Sequence, residues 1–285
     1  MKKYIKLMRI HHYVKNILVF AALACSGMLF DLEKFLSGLM GFVAFSMVCS
    51  VVYIINDIMD REKDRMHPTK CNRPIASGAV SVSNACWLAG GLLLIALICN
   101  FFVFSQPATL LLGTYLILNL GYSMGLKNVP IVDVAILVSG FWIRVLYGAL
   151  ITGIHISNWL YLTIVMLAFF LALGKRRNEL KRLKDGETRK VLKAYPIAFL
   201  DKMMYMCLSI AIVFYTLWTL TPETIASYGE YLVYTVPIVV LIIMKYSMDI
   251  EGDSDGDPVE VLVHDKGLMA LCLLYGLSML AILYL

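Results

Sequence analysis

Nine stretches of this chain are apolar for long enough to cross, or nearly cross, the hydrocarbon core of a bilayer. They lie near residues 16–30, 35–55, 85–104, 109–122, 131–152, 159–174, 203–220, 231–248 and 268–285. The first, fourth and sixth are short, so their ends are soft by a few residues. Such segments satisfy their backbone polar groups internally, which predicts an all-α, polytopic membrane protein with nine transmembrane helices. Composition agrees: 60% of the 285 residues are hydrophobic and 16% are charged, against roughly half and a quarter in soluble domains. The runs recur along the whole length with no internal repeat or low-complexity linker, so residues 1–285 read as a single transmembrane domain.

The charges give an orientation. Of the 25 Lys and Arg, 23 fall on alternate segments: the N-terminus, the loop after the second span, the turn after the fourth, the loop after the sixth and the loop after the eighth. Basic residues concentrate in cytoplasmic loops. The expectation is therefore a multi-pass protein of the bacterial inner (plasma) membrane, with a cytoplasmic N-terminus and a periplasmic or extracellular C-terminus. The net charge of +5 is modest, and no nucleic-acid partner is expected. A homo-oligomer is compatible with the sequence.

The start, Lys2-Lys3 before an apolar run, resembles a signal peptide, and Ala22-Leu23-Ala24-Cys25 hints at a lipoprotein cleavage site. That site wants a larger aliphatic residue at Ala22, and the many later spans favour an uncleaved first helix. The seven Cys are scattered, odd in number and without metal-ligand spacing, so they read as small packing residues.

The most informative segment leaves the second span: NDIMDREKDRMHPTKCNRPIASG, residues 56–78. On a helix, Asn56, Asp60 and Asp64 fall at i, i+4, i+8, and Asp57, Asp60 and Asp64 at i, i+3, i+7, so their oxygens share a face. Like charges so spaced repel, and a divalent cation among them offsets that cost. An all-oxygen set without His or Cys suits Mg2+, which takes one or two carboxylates and completes its shell with water and substrate phosphates. The competing reading is a solvated acidic helix end. His67, Lys70 and Arg73 follow, and Pro68 and Pro74 make this stretch a loop able to fold back over the metal. Carboxylates with a metal on one side and Lys or Arg on the other suit a diphosphate, although Lys70 and Arg73 also serve as topology anchors.

At these residues the chain resembles the UbiA superfamily of membrane transferases, through NDxxDxxxD and the longer string NDxxDxxxDRxHPxKxxRPxxSG. The resemblance implies nine helices around a central cavity open to the cytoplasmic side, and an active site facing the cytoplasm. Members that transfer prenyl groups carry a second acidic motif, roughly DxxxD, after the sixth helix. Here the stretch begins GKRRNELK, with Lys175, Arg176, Arg177 and a single Glu179. That departure is similar to the phosphoribosyl branch, the decaprenyl-phosphate phosphoribosyltransferases. So are Lys15-Asn16, YSMGLKNVPIVD at 122–133, Phe141, Arg144 and Gly148, and DPVEVLVHD at 257–265. The branch implies Mg2+-dependent transfer of 5-phosphoribose from phosphoribosyl diphosphate to a polyprenyl phosphate lipid, with release of diphosphate.

The residues suit that chemistry. A phosphate monoester is already an anionic nucleophile, so no strong general base is required. Asn56, Asp57, Asp60 and Asp64 are the expected metal ligands, with Asp57, Asp60, Asp64, Lys70 and Arg73 catalytic. Lys175, Arg176 and Arg177 would meet the donor's extra 5-phosphate, or else anchor topology. Arg144 lies in the middle third of the fifth span, where an arginine costs about 2.5–3.5 kcal/mol and so faces a cavity or a partner. Asp133, about three turns earlier on the same face, lines the same cavity or caps its helix. Tyr122 and Lys127 at the inner end of the fourth span, where Ser123 could reach the same chamber, and Lys15 and Asn16 at the start of the first, complete the expected substrate-binding set. Two alternatives stand beside this reading: a prenyltransferase acting on an aromatic acceptor, and a transporter with Asp133 and Arg144 at its midplane. The acidic run at 253–257 lacks the Gly and Glu positions of a calcium loop.

Overall fold

The computed structural model describes residues 2–181, 190–252 and 258–284. Part of the basic stretch, 182–189, and the acidic run 253–257 lie outside the described residues. Every regular element among the described residues is helical, as expected. The helices are α1 (Lys2–Met8), a 3-10 segment (Ile10–Phe20), α2 (Ala21–Cys25), α3 (Leu32–Met59), α4 (Arg61–Arg65), α5 (Val82–Phe102), α6 (Gln106–Met124) and α7 (Val132–Thr152). There follow α8 (Asn158–Lys181), α9 (Ile197–Thr219), α10 (Pro222–Tyr228), α11 (Val236–Glu251), α12 (Pro258–His264) and α13 (Lys266–Tyr284), with a 3-10 turn at Glu230–Thr235 leading into α11.

Among the described residues, seven helices are long and apolar enough to cross a membrane: α3, α5, α7, α8, α9, Glu230–Glu251 and α13. The other two expected spans differ in kind. The fourth is α6, whose 19 residues include Gln106, Thr109, Thr114 and Asn119 and fall outside the seven. The first is the shorter apolar stretch Ile10–Cys25. Its 3-10 part rises about 2.0 Å per residue rather than 1.5 Å, so it reaches about as far as a hydrocarbon core is thick.

The chain divides into two compact units. One comprises Met1–Lys127 and Ser139–His155, the other Asn128–Val138 and Ile156–Leu285, so α7 contributes to both. In the first unit α3 packs on α5 and α6. It starts at Asp31, whose carboxylate accepts the Lys34 N–H at 3.1 Å, a standard N-cap. Phe45, Val48, Cys49, Ala96, Leu112, Tyr115, Ile143 and Tyr147 form one buried cluster there, while Trp87, Phe101 and Ile117 are exposed, the pattern of helices solvated by lipid. Polar links hold the apolar helices together. Asn100 donates to Thr109 at 2.8 Å and accepts from the Tyr147 hydroxyl at 3.0 Å. Gly148 is required by close approach, since a Cβ there would lie 1.8 Å from the Val19 carbonyl oxygen.

In the second unit α8 packs along α9, and α11 packs on α13. Tyr215 and Thr235 share a hydroxyl hydrogen bond at 2.6 Å, and the Asn178 amide donates to the Ile250 carbonyl at 2.9 Å. The sixth expected span ended at 174 with Lys175, Arg176 and Arg177 in a loop. Instead α8 runs on to Lys181. The guanidinium groups of its last turns are matched by carboxylates, so the helix continues past the apolar run.

Candidate functional site

The acidic motif sits where α3 ends. The sequence predicts one continuous helix through Asp64. The structure ends α3 at Met59, places Asp60 at φ −88° and ψ 4°, and restarts with α4. The backbone hydrogen bonds from Asp60 N–H to Asn56 O (2.9 Å) and from Asp64 N–H to Asp60 O (2.8 Å) persist across the joint, so the motif keeps helical spacing with a kink. Asp57 and Asp64 are buried and Asp60 is half-buried.

Each carboxylate meets a basic side chain of the same unit. Asp57 Oδ1 accepts from Arg9 Nη2 at 2.6 Å and from Arg73 Nη1 at 3.2 Å. Arg73 Nη1 also donates to Asp64 Oδ2 at 2.6 Å. Lys127 Nζ donates to both oxygens of Asp60, at 2.9 and 2.7 Å. Asn56 Oδ1 accepts from the Ser123 hydroxyl at 3.2 Å. Two of the expected α6-end residues, Ser123 and Lys127, thus reach the acidic motif, while Tyr122 beside them is half-buried. The Pro68–Pro74 stretch is a folded loop, as expected. The His67 ring nitrogen Nδ1 takes the N–H groups of Thr69 (3.3 Å) and Lys70 (3.4 Å), which leaves the Lys70 side chain half-buried. On the outer side, exposed Glu62 is held below the usual carboxylate range chiefly by its bond from Arg61.

The donor atoms of Asn56, Asp57, Asp60 and Asp64 are all oxygens, the chemistry that suits Mg2+. Their arrangement is that of an ion-pair network. Among the described residues no three His, Cys, Asp or Glu side chains converge as metal ligands.

Arg144 occupies its own cage in the first unit, and it finds the partners that its mid-span position demanded. Its Nε donates to Asn16 Oδ1 at 2.8 Å, Nη2 contacts the Tyr115 hydroxyl and Cys49 Sγ at 3.3 Å, and Nη1 bonds the Gly140 carbonyl. The guanidinium carbon lies 4.8 Å from the Phe45 ring centroid and 5.1 Å from that of Tyr115, a cation–π contact with each of two rings that also pack on one another at 4.7 Å. Asn16 is itself fixed by donating to Ser46 at 2.9 Å; its neighbour Lys15 is half-buried.

Asp133 belongs to the second unit, and its partners are different from those of Arg144. It is fully buried, with Oδ2 accepting from Arg176 Nε at 2.7 Å and Oδ1 from the Tyr195 hydroxyl at 2.6 Å. Tyr195 in turn accepts the Ile131 N–H at 2.5 Å, which holds this β-branched residue at φ 68°. Burial, and then the bond to Asp133, push the Tyr195 phenol up to about 12. Arg176 Nη1 also meets Glu179 at 2.6 Å. Arg177 bonds Asp201 and Glu251. The expected phosphate-facing arginines are thus buried and matched by carboxylates, while Lys175 is half-buried. Sequence reasoning did not single out Arg9, Tyr195, Asp201 or Glu251, whose partners lie tens of residues away.

The helices and the buried ionic groups define a multi-pass membrane protein with a polar site at one helix end. The sequence matches the UbiA prenyltransferase family over residues 16–263, and the chain belongs to that family. It is 32% identical to the decaprenyl-phosphate phosphoribosyltransferase of Corynebacterium glutamicum, over 98% of this chain and 86% of that protein. It is 33% identical to the enzyme of the same name from Mycolicibacterium smegmatis, over 94% and 88%. Its fold is that of a UbiA homolog from Archaeoglobus fulgidus solved bound to GPP and Mg2+, with a TM-score of 0.71 and 18% identity over 99% of both chains.

Proposed function

We propose that this protein transfers 5-phosphoribose from phosphoribosyl diphosphate to a polyprenyl phosphate, in a Mg2+-dependent reaction at the cytoplasmic face of the bacterial inner membrane. The observation that carries the reading is the likeness, at about a third identity across nearly the whole chain, to two decaprenyl-phosphate phosphoribosyltransferases. The orientation follows the basic-residue distribution, with the acidic motif on the side that holds the excess of Lys and Arg.

An oxygen of the lipid phosphate attacks C1 of the ribose; the C1–O bond to the diphosphate breaks, and diphosphate leaves with the electron pair. Asn56, Asp57, Asp60 and Asp64 would hold Mg2+, which supplies positive charge to the departing diphosphate. Lys127 and Arg73 stand beside these carboxylates and, with Lys70 from the following loop, bind phosphate oxygens as charge-assisted donors. Arg144, with Lys15, Asn16 and Tyr122, carries the positive and polar lining for the lipid phosphate. Arg176 and Arg177, each already engaged with carboxylates, hold the end of α8 in place and leave less free charge than the sequence suggests.

The test is transfer of label from radioactive phosphoribosyl diphosphate into the organic phase by purified protein with a polyprenyl phosphate and Mg2+. Label that vanishes with EDTA and with Asp60→Asn supports the reading. Absence of label from protein that still binds the lipid sends the assignment to prenyl diphosphate donors.

A further inference from the structure

Arg9 has a backbone conformation that its residue type does not favour. It joins α1 to the 3-10 segment at φ 52° and ψ 49°, the left-handed region where a Cβ crowds the backbone and where glycine or asparagine ordinarily ends a helix. Such outliers persist only where the surroundings over-determine them.

The surroundings here do so. Leu7 is fully buried in a cluster with Val51, Ile54, Ile75 and Val80. Lys3 Nζ donates to the Ala79 carbonyl at 2.9 Å and Lys6 Nζ to the Asn72 carbonyl at 3.1 Å. Helix α1 is therefore pinned to α3 and to the loop that follows the acidic motif. The left-handed turn at its end sends the Arg9 guanidinium along one face of α3. The group stacks 4.8 Å from the Tyr53 ring centroid and, one turn further on, bonds Asp57. Both guanidinium contacts of Asp57, from Arg9 and from Arg73, fall on the same oxygen, Oδ1. That fixes the carboxylate plane and turns Oδ2 away from the two arginines.

We infer that Arg9 is a positioning residue of the diphosphate site: clipped in place by α1, it sets the orientation of Asp57. The inference rests on the reading of the acidic motif as a Mg2+–diphosphate site. Arg9 acts through Asp57, so its effect on diphosphate binding depends on that carboxylate. A residue that only pins α1 would lower the melting temperature and leave the affinity of the folded protein for Mg2+–pyrophosphate unchanged.

The experiment measures binding of inorganic pyrophosphate with Mg2+ to the full-length protein in detergent, for wild type, Arg9→Gly, Asp57→Asn and the double variant. Glycine suits the left-handed turn, so Arg9→Gly removes the guanidinium while favouring the backbone. The expected result is a loss of about tenfold or more in Arg9→Gly, partial recovery in Arg9→Lys, and little further loss when Arg9→Gly is added to Asp57→Asn. Wild-type binding by Arg9→Gly, or losses that simply multiply in the double variant, would overturn the inference. Should Arg9→Gly not fold, Arg9→Lys carries the test against Asp57→Asn in the same cycle. Failure of the wild type itself to bind Mg2+–pyrophosphate would remove the site reading and the inference together.

Discussion

The two units solve the same electrostatic problem in opposite ways. In the acidic motif of the first, Asp57 and Asp64 are buried at 2% and 6% while their partner Arg73 is 25% exposed, and the Lys127–Asp60 pair is open on both sides at 16% and 19%. In the second, the base itself is enclosed, with Arg176 at 1% and Asp133 at 0%. A partly open Lys or Arg beside a carboxylate retains access to another anion. A base sealed against its carboxylate does not, because removing either partner strands a charge away from water. On the proposed reading, the ionic groups of the acidic motif serve chemistry and the Arg176–Asp133 pair serves architecture, although the sequence writes both as short runs of ionic residues at helix ends.

Mutations test this contrast. The largest effect is expected on activity from Asp60→Asn: a fall of about 10³-fold in transfer with little change in thermal stability, read by the organic-phase assay and a melting curve. Equal loss of both would erase the distinction. Next comes Arg176→Ala, expected to destabilise by about 3–5 kcal/mol because Asp133 is left buried without its partner. Denaturation in detergent measures this, and an Arg176→Met, Asp133→Leu double variant should recover much of the loss. Tyr195→Phe is smaller, at about 1–2 kcal/mol, since it removes one donor and one acceptor from the same network. The Tyr195 phenol is raised to about 12, so its contribution is complete below the unfolded value of about 10 and fades only as pH climbs through the folded one. The Tyr195→Phe deficit should thus be constant between about pH 6 and pH 9, and a strong slope there would contradict the assigned bonding. Smallest is Glu62→Gln. Its partners Arg61 and Arg65 are at the surface, and no measurable shift in melting temperature is expected.

Much of this arrangement was legible in the residues themselves. Helix-spaced oxygens at Asn56, Asp57, Asp60 and Asp64 marked the segment on which Arg9, Arg73 and Lys127 converge, and an arginine in mid-span announced that Arg144 must have partners, which proved to be Asn16, Tyr115 and two aromatic rings. What stayed hidden depends on contacts distant in sequence. Arg9 pairs with a residue 48 positions away, and in the sequence it reads as one more positive charge anchoring the N-terminus. Lys175 to Arg177 read as loop because the apolar run stops at 174; carboxylates from 133, 179, 201 and 251 let the helix carry on. The first span was expected at 16–30, whereas the apolar helical stretch is Ile10–Cys25; His11, His12 and Lys15 interrupt the apolar run there without ending the helix. The kink at Asp60 had no signal, since no Pro or Gly marks it.

The identity of the transferred group separates phosphoribosyl transfer from prenyl transfer. The direct measurement offers the purified protein phosphoribosyl diphosphate and a prenyl diphosphate together, with a polyprenyl phosphate and an aromatic acceptor, and identifies the lipid products by mass. The expected product is a polyprenyl phosphate heavier by one phosphoribosyl group, with one diphosphate released for each product formed. A prenylated aromatic product, with the polyprenyl phosphate unchanged, would contradict it.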